Sequence, residues 1–131
     1  MKIDHIGIAV NELEASLPYY RDALGLKYKG REKVSDQGVE VAFLEAGDSK
    51  IELLEPLNEE SPIARHLEKR GEGIHHLAFE VDDIEGKVKK MKSEGVEFIG
   101  DEPSPGAGGK KIIFVHPKSA SGVLMELCQP E

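Results

Sequence analysis

Two stretches decide the fold: "DHIGIAV" at residues 4–10 and "HHLAFEV" at residues 75–81. Each places a histidine at the head of a short apolar run, and this pattern predicts a β-strand followed by a helix-like segment. A shift of 71 residues superimposes the two stretches. The pairs that it aligns are His5 with His76, Val10 with Val81, Leu13 with Ile84, Glu14 with Glu85 and Leu17 with Val88.

The repeat continues toward the end of each half. "IELLEP" at 51–56 corresponds to "MELCQP" at 125–130, and a shift of 74 residues aligns Glu52 with Glu126 and Pro56 with Pro130. Such internal repeats indicate two copies of one supersecondary unit. Each copy has the predicted order β-α-β-β-β, so the sequence predicts an α+β fold with two tandem βαβββ modules.

The helices are predicted from cap residues and apolar spacing. Asn11 and Asp82 are expected to cap the first and last helices, and Pro18 is expected to kink the first. Ser61 and Pro62 should begin a helix between the modules. The expected apolar stripe of the first helix is Leu13, Leu17, Tyr20 and Leu24.

The strands are predicted from alternating apolar and polar residues and from turn residues. The predicted strands are 3–10, 27–34, 39–46 and 50–55 in the first half and 75–81, 96–100, 111–116 and 122–128 in the second. We expect one domain over 1–131, with module 1 at about 1–58, a connecting helix at about 61–70 and module 2 at about 73–131.

Composition excludes several classes of protein. The net charge of −8 argues against a nucleic-acid binder, which would present a basic face. No apolar run approaches the ~20 residues of a membrane helix, and the first residues lack the pattern of a signal peptide. The single cysteine, Cys128, cannot form an internal disulfide. These features predict a cytoplasmic protein with no membrane partner.

The two histidines lie on strand faces with small neighbours. Because side chains alternate along a strand, His5 shares a face with Gly7 and Ala9, and His76 shares one with Ala78 and Glu80. A face that carries a histidine and small residues is typical of a strand that lines a cavity. His75 has the opposite parity, and we interpret it as a structural or supporting residue.

Two glutamates complete a candidate metal site. Glu52 and Glu126 each stand between apolar residues, where a buried carboxylate is costly unless it is paired or binds a cation. A single histidine or glutamate on a strand is more often structural. Here four such residues occupy two repeat-related pairs of positions, which favours a divalent ion held by His5, Glu52, His76 and Glu126. Mixed nitrogen and oxygen ligands suit Co, Mn, Ni, Fe or Zn.

The motifs resemble a known superfamily over nearly the whole chain. Two βαβββ units carrying His…Glu…His…Glu are similar to the vicinal oxygen chelate superfamily, which includes glyoxalases. More closely, the chain resembles the methylmalonyl-CoA epimerase family. The stretches that carry this resemblance are "DHIGIAV", "DQGVEVAFL", "IELLEPL", "SPIARHLEK", "GEGIHHLAFEVDDI" and "DEPSPGAGGKKIIFVHPKSASGVLMELCQ".

The resemblance implies a cupped eight-stranded half-barrel cavity with one divalent metal ion, Co²⁺ in first place and Mn²⁺, Ni²⁺ or Zn²⁺ as alternatives. It implies interconversion of (2R)- and (2S)-methylmalonyl-CoA through an enolate, with Glu126 as both metal ligand and acid/base, and a homodimer. The substrate is a strongly anionic CoA thioester. The expected substrate contacts in and after the Gly/Pro-rich stretch 100–111 are Lys110, Lys111, His116 and Lys118.

Two positions depart from the family. Some epimerases carry a glutamate, taken as a catalytic base, where this chain has Val41, and the neighbouring Glu40 has the opposite strand parity. Some have glutamine where this chain has Glu52. The second acid/base is therefore open at this stage.

Two other functions remain as alternatives. A lactoylglutathione lyase-like isomerase would share the ligand set, although the "HPKSASGVLMEL" ending at 116–127 favours the epimerases. A non-catalytic small-molecule binder of the same fold would need no metal ligands, which the four coincident residues disfavour.

Overall fold

The computed structural model describes residues 1–131. The strands are β1 (Lys2–Ala9), β2 (Lys27–Val34), β3 (Val39–Ala46), β4 (Ser49–Pro56), β5 (Gly73–Glu80), β6 (Phe98–Pro105), β7 (Lys111–Val115) and β8 (Met125–Gln129). The helices are α1 (Leu13–Leu17), continued by a π-helical segment (Pro18–Ala23), α2 (Pro62–Arg70) and α3 (Ile84–Ser93). None of these helices has both the length and the apolar character needed to span a bilayer.

The chain divides into two compact units, an N-terminal unit of His5–His75 and a C-terminal unit of His76–Glu131 that also includes Met1–Asp4. Their strand orders are β2-β3-β4-β1 and β5-β8-β7-β6. In each unit the first strand pairs in parallel with the last, and the last three strands pair antiparallel with one another. The two predicted βαβββ repeats are thus confirmed.

Each unit packs one face of its strands under a helix. In the N-terminal unit, the core comprises Val10, Leu13, Leu17, Ala42, Leu44 and Leu53. In the C-terminal unit, it comprises Val81, Ile84, Val88, Ile113, Val115 and Leu127. The histidines and glutamates predicted as ligands have the opposite parity on these strands, so they lie on the faces turned away from the helices.

The helix that contains Pro18 is not a regular α-helix. After Leu17 the backbone widens, and the Leu24 amide donates to the Tyr19 carbonyl oxygen five residues earlier at 2.7 Å. The extra residue in this turn rotates the remaining side chains about the axis. Leu24 is consequently 52% exposed, so its predicted place in the apolar stripe was wrong.

The N-termini of α1 and α3 are satisfied by side chains from distant strands. The Leu13 amide donates to Glu55 Oε1 at 2.8 Å, and the Ile84 amide donates to Gln129 Oε1 at 2.8 Å. These acceptors lie at the ends of β4 and β8, so the repeat duplicates this contact as well. The predicted caps Asn11 and Asp82 are displaced by one residue, to Glu12 and Asp83, whereas Ser61 caps α2 as predicted.

The Gly/Pro-rich stretch is shorter as a loop than predicted. β6 extends to Pro105, well beyond the expected end at 100, and only 106–110 form a tight turn. Proline is tolerated here because β6 lies at the end of the strand order and its pairing with β7 is irregular between Ile99 and Ser104.

The Glu55 contact predicts a specific loss of stability. Glu55→Ala removes the acceptor of the Leu13 amide and should lower the free energy of unfolding by about 1 kcal/mol, the usual value of a lost cap. Glu55→Gln keeps a carbonyl oxygen and should retain most of that stability. Urea unfolding followed by circular dichroism measures both variants. Glu59→Ala, at an exposed turn position, is the matched control. Equal stabilities of Glu55→Ala and the control would contradict the assignment.

Candidate metal centre

The N-terminal unit buries a histidine beside a glutamate. His5 is on β1 and Glu52 on β4, and Nδ1 of His5 lies 3.3 Å from Oε2 of Glu52. The two residues are 3% and 2% exposed. The parallel register pairs Gly7 with Glu52. Gly7 lies two residues after His5 on the same face of β1, and because it has no side chain it leaves room for the carboxylate.

The C-terminal unit repeats this arrangement. His76 is on β5 and Glu126 on β8, and Nε2 of His76 lies 3.4 Å from Oε1 of Glu126. The two residues are 5% and 4% exposed. Ala78 pairs with Glu126, just as Gly7 pairs with Glu52. Each unit therefore buries one imidazole next to one carboxylate.

A pair of aromatic residues lies opposite the two buried glutamates and was missed from the sequence. Phe43 lies directly opposite Glu52 in the antiparallel register, and Phe114 lies directly opposite Glu126. The Phe114 ring meets the His76 ring edge-on, with centroids 5.5 Å apart and planes at 89°. The shift of 71 residues aligns Phe43 with Phe114, and this relation was available in the sequence.

The residues expected to contact substrate differ in accessibility. Lys110 is 9% exposed and its Nζ lies 2.7 Å from Oδ2 of Asp4. Lys111 and Lys118 are exposed, and Nζ of Lys111 lies 3.1 Å from Oε1 of Glu85. Nδ1 of His116 accepts a hydrogen bond from the Lys118 amide at 3.0 Å, which gives His116 a capping role in the turn 117–119.

His75 packs away from these groups. Its ring meets that of His66 edge-on at 5.1 Å between centroids. Burial, together with the neighbouring His66, lowers the pKa of His75 to about 4. A neutral imidazole packed against a second ring agrees with the structural role expected from its strand parity.

Comparison with known proteins identifies the family. The model of the Glyoxalase/Bleomycin resistance protein/Dioxygenase superfamily matches residues 4–114. Ethylmalonyl-CoA/methylmalonyl-CoA epimerase of Cereibacter sphaeroides is 44% identical over 98% of this chain and 97% of its own. The structure of methylmalonyl-CoA epimerase from Mycobacterium tuberculosis is 39% identical, with a TM-score of 0.95 over 98% of this chain and 87% of that one. The chain belongs to the methylmalonyl-CoA epimerase family of the glyoxalase superfamily.

A further solved structure in this family holds a substrate. It is a methylmalonyl-CoA epimerase in complex with methylmalonyl-CoA and an ammonium ion, 39% identical, with a TM-score of 0.94 over 98% of this chain and 94% of that one. The family membership and these likenesses confirm the predicted α+β fold of the glyoxalase type. They also confirm the resemblance to methylmalonyl-CoA epimerases, and with it the prediction that the protein is an enzyme.

Relative to other epimerases, the N-terminal unit has an apolar residue at a position where some carry a glutamate. Val41 has the same strand parity as Phe43, and hence lies on the Glu52 face, where it is 1% exposed. Glu40 lies on the opposite face, where its Oε2 accepts from Nε of Arg31 at 3.1 Å. The carboxylates of Glu40 and Glu14 raise the pKa of the Arg31 guanidinium, which binds Glu40 on this face. Glu40 is thus excluded as a substitute for the glutamate that some epimerases carry.

Cys128 lies on the same face of β8 as Glu126 and is fully buried. Burial raises the pKa of its thiol to about 12, with further contributions from Asp4 and Glu126. A thiol is nucleophilic only as the thiolate, so this cysteine has no nucleophilic role near neutral pH.

The buried thiol should be inert in the folded protein. At pH 8 a pKa of about 12 leaves about one thiol in 10⁴ ionised. The folded protein should therefore react with Ellman's reagent far more slowly than the protein unfolded in urea, where one thiol per chain should be titrated. Equal rates in the two states would contradict this placement of Cys128.

Proposed function

We propose that this protein interconverts (2R)- and (2S)-methylmalonyl-CoA by removing and returning the proton on the carbon between the carboxylate and the thioester. The observation that carries the proposal is that each unit buries one histidine–glutamate pair at repeat-related positions. The names of the relatives and the solved complex with methylmalonyl-CoA support the choice of substrate. The single buried cysteine is compatible with a cytoplasmic enzyme.

We further propose that His5, Glu52, His76 and Glu126 are the ligands of one divalent ion, Co²⁺ in first place, with Mn²⁺, Ni²⁺ or Zn²⁺ as alternatives. Bonds of about 2.0–2.2 Å at right angles place neighbouring ligand atoms roughly 3 Å apart. The separations of 3.3 and 3.4 Å within the two pairs fit this requirement. Two carboxylates balance the charge of a divalent cation, which compensates for their burial. When bound, such a cation supplies Lewis-acid stabilisation of the negative charge that develops on the thioester oxygen.

Glu126 is the proposed acid/base of the C-terminal unit. Its carboxylate is buried beside His76 and opposite the apolar ring of Phe114, which fixes its position on the strand. A positioned carboxylate that accepts the α-proton and returns it typically contributes ~10²–10⁴-fold to the rate.

Glu52 is the proposed acid/base of the N-terminal unit. Inversion of a carbon centre calls for a proton donor or acceptor on each face of the planar enolate. On the ligand face of the N-terminal unit Val41 and Phe43 are apolar, and Glu40 is on the opposite face with Arg31. Glu52 is repeat-related to Glu126, so this assignment gives the two units matching roles.

Substitution of the two glutamates separates proton transfer from metal binding. Glu126→Gln and Glu52→Gln each keep a carbonyl oxygen for the metal, but an amide does not accept a proton near neutral pH. Each variant should retain most of its Co²⁺ and lose at least about 10²-fold in epimerisation. Each pure epimer is supplied separately in deuterium oxide, and loss of its α-proton is followed by NMR. One variant should lose α-proton exchange from one epimer, and the other variant should lose it from the other epimer.

Two control variants accompany the glutamate substitutions. His5→Ala should lose Co²⁺ and activity together, whereas Glu40→Gln should exchange both epimers at close to the parental rate. The hemithioacetal of methylglyoxal and glutathione, the substrate of a lactoylglutathione lyase, should not be turned over. If Glu52→Gln exchanged both epimers at the parental rate, Glu126 would have to serve both faces of the enolate.

The phosphates of the CoA group require cations at the protein surface. We propose Lys111 and Lys118 for these contacts, with His116 holding the turn that presents Lys118. The proposal does not extend to Lys110, whose ammonium is buried against Asp4.

We also propose that the enzyme is a homodimer. Several large apolar side chains are exposed, among them Tyr19, Leu24 and Ile74, and a second copy would shield such surface. Light scattering at micromolar concentration should give twice the chain mass of 14.4 kDa. A monomer mass under those conditions would contradict the proposal.

A further inference from the structure

Outside the four proposed ligands, the C-terminal unit contains a second pair of buried charges. Nζ of Lys110 lies 2.7 Å from Oδ2 of Asp4, and the residues are 9% and 2% exposed. The Cys128 thiol is hydrogen-bonded to Asp4 as well. A buried ion pair adds little net stability over apolar residues of the same size. Its location is therefore more informative than its energy.

Lys110 is the last residue of the tight turn that precedes β7. The Gly106 amide donates to the Lys110 carbonyl oxygen at 2.9 Å and closes the turn. A side chain at Gly106 would have its Cβ 2.7 Å from Cγ2 of Ile112, so the turn lies directly against the first residues of β7. The Asp4–Lys110 contact therefore holds the turn residue that directly precedes β7.

From there β7 leads to the proposed metal ligands. Ile112 packs with Ala78 and Cys128 on the ligand face, and Phe114 packs against this cluster. Phe114 is paired with Glu126 and contacts the edge of His76. A shift at the start of this short, regular strand would be transmitted to the ring that supports His76.

We propose that Lys110, held by Asp4, is a positioning residue for the His76–Glu126 pair and acts through β7 and Phe114. The inference rests on the proposed metal-binding function. Asp4 is also the residue immediately before His5 in the chain, so its anchoring restrains the backbone that leads into the other histidine.

The test removes both charges together, so that neither is left buried alone. Asp4→Asn/Lys110→Met should fold with a melting temperature within a few degrees of the parent. It should bind Co²⁺ at least about 10-fold more weakly, the usual effect of disturbing groups that orient metal ligands. The visible absorption of bound Co²⁺ should change, because it depends on ligand geometry, and kcat should fall more than KM rises.

Asp22→Asn/Arg21→Met, which neutralises an exposed ion pair, is the matched control and should bind Co²⁺ like the parent. A folded Asp4→Asn/Lys110→Met protein with parental Co²⁺ affinity and spectrum would overturn the proposal, since the pair would then be structural only.

If that double variant does not fold, the Phe114→Leu variant tests whether the proposed route through β7 affects the metal site. It leaves the ion pair intact and breaks the edge contact with His76, and it should weaken Co²⁺ binding by about threefold or more. Parental affinity and spectrum in this variant would overturn the proposed route through β7. A parent protein that binds no Co²⁺ would instead contradict the metal centre itself, and the positioning role with it.

Discussion

A carboxylate cannot be buried on an apolar strand unless something compensates for the loss of water, and this chain buries two in that way. Glu52 and Glu126 each lie beside an imidazole and opposite a phenylalanine. Removal of water from a charged group costs several kcal/mol even after local relaxation. The histidines give each carboxylate a polar neighbour, and the small residues Gly7 and Ala78 leave space for it on the paired strand.

The same constraint explains how charge is divided between the two faces of the N-terminal unit. On the helix side, Glu40 and Glu14 share the guanidinium of Arg31, which is half-exposed, so their charges are balanced by a residue that water also reaches. On the ligand side, Val41 and Phe43 leave Glu52 as the carboxylate that faces the proposed site. This chain has Val41 on β3 and carries the carboxylate of this face on β4, at Glu52.

Most of the fold could be predicted because its determinants are local and occur twice. The strands at 27–34 and 39–46 match the expected bounds, since alternation specifies both the strand and the face that each residue occupies. The ligand positions could be proposed because parity and repeat coincide at His5, Glu52, His76 and Glu126. Leu24 was misplaced because a proline-associated π-turn changes the helical period, which a pattern of period 3.6 cannot anticipate.

Contacts between residues far apart in the chain could not be predicted. Glu55 caps a helix that begins 42 residues earlier, and Asp4 meets Lys110 across 106 residues. In both cases a charged residue of a type that is ordinarily on the surface meets its partner through the tertiary fold, which spacing in the sequence does not reveal. Lys110 illustrates the consequence, because a lysine in a glycine-rich loop suggests a phosphate contact, whereas in the fold its ammonium is buried against Asp4.

The two prolines of β6 have a consequence for self-association. An outermost strand presents unpaired amide and carbonyl groups that invite another chain to add its own strand, the first step toward fibrous aggregates. Pro103 and Pro105 have no amide hydrogen, and the irregular pairing between Ile99 and Ser104 interrupts the flat template that such addition requires. The chain therefore protects the β6 edge, next to its glycine-rich turn, against the addition of a further strand.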